Sequence, residues 1–177
     1  MKLDLKHPSL EQRNEYLSFA KDWADHEEEI TPYSARLLGR SYEEWLAGTL
    51  RMEREAPERF VCAHTFFLTD EAGKILGAVN IRHELNGELL KSGGHIGYGI
   101  RPSERRKGYA VRMLALALPI AEQLGIARAL ITCDKENIAS ARTILRNGGV
   151  LENELALDGR TVQRYWIGPR QSQCGAF

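Results

Sequence analysis

Between Ile100 and Ala110 the chain reads Ile-Arg-Pro-Ser-Glu-Arg-Arg-Lys-Gly-Tyr-Ala, and these residue types in this order suit the binding of an anion. Pro102 and Ser103 end the strand before them. Arg105, Arg106 and Lys107 bring positive charge, and Gly108 and Ala110 keep bulk away from the backbone. The apolar run from Val111 predicts a helix, whose unbonded first-turn N–H groups and positive dipole end point back into the loop. A diphosphate fits such a cradle. Two other phosphate motifs do not apply. Lys107 precedes the only loop glycine, so the order of a P-loop is absent. A single glycine after a hairpin also lacks the three spaced glycines that open a dinucleotide-binding βαβ unit.

The surrounding sequence supplies the frame for this loop. Two helices are expected first, Leu10 to Asp25 and Tyr42 to Glu55, the second capped by Ser41. Glu27 to Arg40 between them, with Thr31-Pro32 and Gly39, reads as a loop or broken helix. Three antiparallel strands follow: Val61 to Thr69, Ile75 to Arg82 and His95 to Ile100, with a loop through Asn86-Gly87 and Ser92-Gly93-Gly94. After the cradle come a helix from Tyr109 to Leu124, kinked or left with a free carbonyl by Pro119, and a compact apolar strand from Ala129 to Cys133. A short helix from Ile138 to Asn147 leads to Val150 to Leu157 and Thr161 to Ile167, which flank the hairpin turn Asp158-Gly159.

A chain of 177 residues with 43% hydrophobic and 27% charged residues suits one domain, expected over residues 1–168, with 169–177 as a tail. Net charge is zero, which disfavours a nucleic-acid partner. The charge is unevenly spread, however. Acidic residues lead thirteen to eight from Met1 to Glu58, and basic ones lead nine to four from Arg101 to Gly148. The acidic run Asp22 to Glu29 is expected to be a solvated face, and Arg101 a surface residue at a strand end. Three cysteines without metal-ligand spacing, no signal-like start and no long apolar run point to a cytoplasmic protein without metal or membrane role.

Arg105-x-x-Gly108-x-Ala110 resembles the acetyl-CoA pyrophosphate loop of the GNAT-type N-acetyltransferase superfamily. The order of elements is similar to that fold over nearly the whole chain. With Thr-Cys-Asp-Lys-Glu-Asn-Ile-Ala-Ser, Asn-Gly-Gly-Val-Leu-Glu-Asn and Arg-Tyr-Trp-Ile, the chain resembles a subgroup of bacterial acetyltransferases. The resemblance implies a mixed α/β (α+β) fold: a central, mostly antiparallel sheet, flanked by helices, with its fourth and fifth strands splayed. Acetyl-CoA is then the cosubstrate. Main-chain groups of Tyr98, Gly99 and Ile100 would pair with its pantetheine arm, and the N–H groups of Arg106, Lys107, Gly108, Tyr109 and Ala110, beside Arg105, would hold its pyrophosphate. Asn137 would reach the cofactor as well as cap the following helix, and Ser140 lies one turn on.

Acetyl transfer from a thioester needs a neutral amine, a polarised carbonyl and a proton for the thiolate. Candidate catalytic residues are Tyr98, His83, Glu84 and Asp134, with His95 on the opposite strand face from Tyr98. At the point where several family members carry a glutamate base, eleven residues before Arg105, this chain has Gly94. Where many carry a tyrosine acid, seven residues beyond Asn137, it has Ile144. Cys133 reads as a buried strand residue. The acceptor is expected to be a primary amine, on a small molecule or a peptide, attacked directly, and the assembly leaves room for a homodimer. The alternative is a GNAT-like module that binds CoA without turnover.

Overall fold

The computed structural model describes residues 2–168. The expected tail, 169–177, lies outside the described residues. Chain order gives β1 (Asp4–Lys6), α1 (Arg13–Asp25), α2 (Tyr42–Arg51), β2 (Ala63–Thr69), β3 (Ile75–Arg82), α3 (Gly87–Lys91), β4 (Ile96–Ile100), α4 (Tyr109–Gln123), β5 (Ala129–Asp134), α5 (Ile138–Arg146), β6 (Val150–Leu157) and β7 (Arg160–Ile167). Short 3-10 turns at Leu10–Gln12, Tyr33–Ala35 and Pro102–Glu104 enter α1, interrupt the α1–α2 linker and begin the cradle loop.

Two antiparallel sheets divide the strands, one ordered β1-β2-β3-β4 and the other β5-β7-β6. The larger sheet is buried on both faces, which is why β2 and β3 read as near-continuous apolar runs. Phe66, Leu68, Val79, Ile81, Ile96 and Ile100 join the main core with Met113, Leu114 and Ala117 of α4 and Ile144 of α5. Phe67, Ile75 and Ala78 project the other way, into an aromatic cluster with Tyr16, Phe19 and Trp23 of α1 and Trp45 of α2. Alternation along β2 therefore serves both faces at once, and in β3 the irregular register opposite Leu68 and Thr69 lets Ile75 and Ala78, three residues apart, share a face.

The capping residues act as the sequence predicts. Ser41 accepts from Glu44 N–H in a capping box, and Asn137 accepts from Ser140 N–H at 3.0 Å. Helix α4 runs on through Pro119 to Gln123. Two elements were missed. β1 pairs only three residues, Asp4 to Lys6, against Thr69 to Phe67, and is too short to show alternation. α3 occupies the expected loop, where Asn86 caps Glu88 and Leu89 N–H rather than forming a turn with Gly87.

Candidate active site

The site lies where β4 and β5 separate. β4 is the edge of its sheet, and no ladder joins it to β5. The strands are bridged just before β4: His95 N–H donates to Leu130 O at 2.7 Å, and His95 Nδ1 accepts from Leu130 N–H at 2.9 Å. Gly93 N–H also reaches Thr132 Oγ1 at 2.7 Å. Gly94 sits at φ 62°, and a β-carbon there would strike the Leu130 main chain, so no glutamate could occupy this point without moving the bridge. His95 is absorbed by the same bridge. Its Nδ1 lone pair is used, and burial together with the nearby Arg82 charge holds its pKa below the usual value.

The β4 ladder decides which main-chain groups face the opening. Arg101 N–H donates to Leu76 O and Arg82 N–H to His95 O, which sets the phase of the β3–β4 pairing. Alternate residues therefore turn their groups to β3 or to the open edge. Gly99, opposite Ala78, is turned toward β3, whereas Tyr98 and Ile100 face outward. Of the three residues expected to offer main-chain groups to a pantetheine arm, Gly99 turns its groups to β3 instead, and Tyr98 and Ile100 turn theirs to the open edge. Gly99 has another reason to be small: a β-carbon would strike Thr31, whose segment crosses β4 and walls the opening.

Below β4 the cradle takes the form expected of it. Arg106 and Gly108 lie at φ 63° and 81°, and Gly108 is the N-cap of α4. The first bond of the helix is Arg112 N–H to Gly108 O, at 3.3 Å. The N–H groups of Arg106, Lys107, Gly108 and Ala110 find no acceptor among the described residues. Nothing within 4 Å would meet a β-carbon on Gly108, so its conformation, not crowding, calls for glycine. Donors without an acceptor at a helix N-terminus suit phosphate oxygens in general.

The loop's charges do not all face a ligand. Arg105 forks onto Glu28 at 2.7 and 2.6 Å, lies 5.0 Å over the Trp23 ring and donates to Ile100 O. Lys107 pairs with Glu104, which also holds Lys74. Hydrogen bonds from Lys107 and then Lys74 keep the Glu104 carboxyl below its usual range. Arg106 has no ion pair among the described residues. Arg101 is not a surface residue: its side chain is 8% exposed and bonded to Glu15 at 2.9 Å, Asp22 at 2.8 Å and Ser18. The acidic run is exposed from Ala24 to Glu29, as expected of a solvated face, but Asp22 at its start is turned inward. Asp22 accepts from Arg101 and from both Ser103 N–H and Ser103 Oγ. Burial opposes its ionisation, yet the Ser103 and Arg101 hydrogen bonds prevail and pull its pKa to about 2. The acidic end of α1 is thus a clamp on the cradle.

A cleft of about 560 Å³ opens between β4, β5, the 31–36 segment and the start of α5. Tyr98, Asp134, Asn137 and Ser140 line it, as does Cys133. Tyr98 Oη lies 3.0 Å from Ser140 Oγ, and burial pushes its pKa to about 12, so it keeps its proton at neutral pH. Asp134 is paired with Arg160 at 2.7 Å. His83 and Glu84 are not among the residues lining the cleft. The His83 ring instead lies 2.7 Å from His64, in a group with His7 and Glu53 on the other side of β2, and Glu84 is exposed beyond β3. Burial raises the Cys133 pKa, which favours the thiol. Ile144 is fully buried in the main core. Arg82, which the sequence does not single out, also lines the cleft.

The fold recurs in solved structures. The microcin C7 self-immunity acetyltransferase MccE, in complex with acetyl-CoA and AMP, is 21% identical, with a TM-score of 0.67 over 95% of this chain and 93% of that one. RimL, a ribosomal L7/L12 alpha-N-protein acetyltransferase in complex with coenzyme A, is 17% identical, with a TM-score of 0.67 over 94% of each chain. The dodecameric spermidine N-acetyltransferase from Vibrio cholerae is 16% identical, with a TM-score of 0.64 over 93% and 92%. At these identities the likeness is one of fold. No curated protein matches the sequence. Residues 2–150, a span that includes the cradle and all of the cleft lining except Arg160 and Val162, match the acetyltransferase (GNAT) domain, and the chain belongs to that family of acetyltransferases.

Proposed function

We propose that this chain transfers an acetyl group from acetyl-CoA directly to a primary amine on a small molecule or a peptide. The observation that carries the reading is the cradle: unaccompanied N–H groups of Arg106, Lys107, Gly108 and Ala110 at the start of α4, adjoining an open β4 edge. A thioester bound there supplies the activated acetyl group. The chain's own residues do the rest. Tyr98 and Ile100 main-chain groups hold the pantetheine arm as an added strand would, and the α4 N-terminus with Arg106 neutralises the pyrophosphate. Asn137 and Ser140 border the arm from α5.

Tyr98 retains its proton and stands at the cleft wall, so it serves as acid toward the departing thiolate rather than as base. Asp134 is the one carboxylate lining the cleft among the described residues and the candidate to accept the amine proton, directly or through water. The wells of a thermal-shift plate give the first test. Acetyl-CoA should raise the melting temperature of the wild-type protein, and Gly108→Glu, which puts a side chain and a negative charge into the cradle, should abolish the rise. Retained binding in that variant would show that the cradle is misplaced. A thiol-release assay across an amine panel tests turnover, and binding without any acetylated amine would leave a CoA-binding module.

A further inference from the structure

Four arginines among the described residues are buried or partly buried: Arg36, Arg82, Arg101 and Arg164. Three have a carboxylate close by, Glu29 at 2.6 Å for Arg36, Glu15 and Asp22 for Arg101, and Glu152 at 2.7 Å for Arg164. Arg82 has none. Its Nη1 donates to the carbonyls of Gly93 and Gly94 at 2.8 and 2.9 Å, and its Nε and Nη2 make no hydrogen bond among the described residues. A guanidinium withdrawn from water without a counter-ion is unfavourable, and arginine cannot escape the cost by releasing a proton. The site is nonetheless built around it. Arg82 ends β3 beside β4, and the nearest atom to a β-carbon on Gly97 would be Arg82 Nη2, at 3.1 Å. Glycine at 97 leaves that edge of the fork open.

Arg82 also lies in the cleft already described, whose other charged walls cancel or are occupied. Arg160 pairs with Asp134, and Arg36 pairs with Glu29 and donates to Ile30 O. What remains uncompensated is one planar cation with two donors free. That geometry matches two oxygens of a carboxylate or phosphate. We infer that the acceptor amine carries such an anionic group, seated on Arg82, an assignment that rests on the acetyltransferase reading of the cleft. The same charge disfavours a polycation in the cleft. It also lowers the pKa of an amine held near it, which increases the neutral, attacking form.

The test uses the full chain saturated with acetyl-CoA and matched amines: phosphoethanolamine against ethanolamine, β-alanine against β-alaninamide, and spermidine. The anionic member of each pair should be favoured at least tenfold in kcat/KM. Arg82→Gln should remove the preference by raising KM, with the acetyl-CoA thermal shift unchanged. Arg82→Lys, which keeps the charge but not the fork, should fall between them, and carries the comparison if Arg82→Gln does not fold. Preference for a neutral amine or spermidine, or an anionic preference untouched by either substitution, overturns the inference. If acetyl-CoA binds and no amine is acetylated, the catalytic reading fails separately. Calorimetric titration of CoA-saturated protein with inorganic phosphate then decides: binding lost in Arg82→Lys or Arg82→Gln supports the anion seat, and equal or absent binding overturns it.

Discussion

Asp22→Asn removes a charge from the clamp while keeping an oxygen that can accept from Ser103. In the wild type the Asp22 carboxyl falls from an ordinary 3.8 to about 2. At about 1.4 kcal/mol for each pH unit, the ionised carboxylate contributes about 2 kcal/mol. A second route gives a similar size. Removing one partner of a buried ion pair costs about 3–5 kcal/mol, but Glu15 remains 2.9 Å from Arg101, which places this case at the low end. The folded pKa lies below the unfolded one, so the contribution is complete above about pH 5. It shrinks as the pH falls through 3.8, to about half near pH 3, and is lost below about 2. Urea unfolding of both proteins at pH 7 and at several points down to pH 3 reads the difference directly. A stability gap of about 2 kcal/mol that narrows with acid is expected. A gap that is negligible at pH 7, or independent of pH, would refute the account of the clamp. Because Asp22 holds Arg101 and Ser103 at the root of the cradle, the variant should also show a smaller acetyl-CoA thermal shift.

Two further outcomes separate structural from ligand roles. Asn137→Ala should cost about 1 kcal/mol through the lost cap and also weaken acetyl-CoA binding in a direct titration, whereas a stability loss with unchanged affinity would leave Asn137 as a cap alone. Tyr98→Phe should lower kcat on any accepted amine with little change in acetyl-CoA affinity, and an undiminished rate would assign the thiolate's proton to solvent.

The cradle was legible because its information is local. Pro102, Gly108 and the apolar run after it act within one loop and the helix it starts, and the structure adds mainly the φ angles and the four unaccompanied N–H groups. The caps Ser41 and Asn137 were legible for the same reason. Strand phase was not. Whether Tyr98 or Gly99 offers its main-chain groups depends on the Arg101–Leu76 pairing, a contact 25 residues apart that no period in β4 encodes. The place of His83 failed similarly, since nothing near it in sequence announces His64 as its neighbour.

Charge shows where a correct count can carry the wrong inference. The acidic lead in the first 58 residues and the basic lead after Arg101 are real, and they suggest a field acting on a ligand. The structure spends much of that asymmetry inside the molecule: Glu15 and Asp22 on Arg101, and Glu28 on Arg105. Separated by more than seventy residues, these pairs fix α1 against the cradle loop, so complementary charge between segments encodes docking of one on the other. Under the proposed function, the charge open to a ligand is what survives this pairing at the site. Arg106 remains at the cradle and Arg82 in the cleft, and neither can be identified by counting, because each is defined by the absence of a carboxylate that only the fold could have brought near.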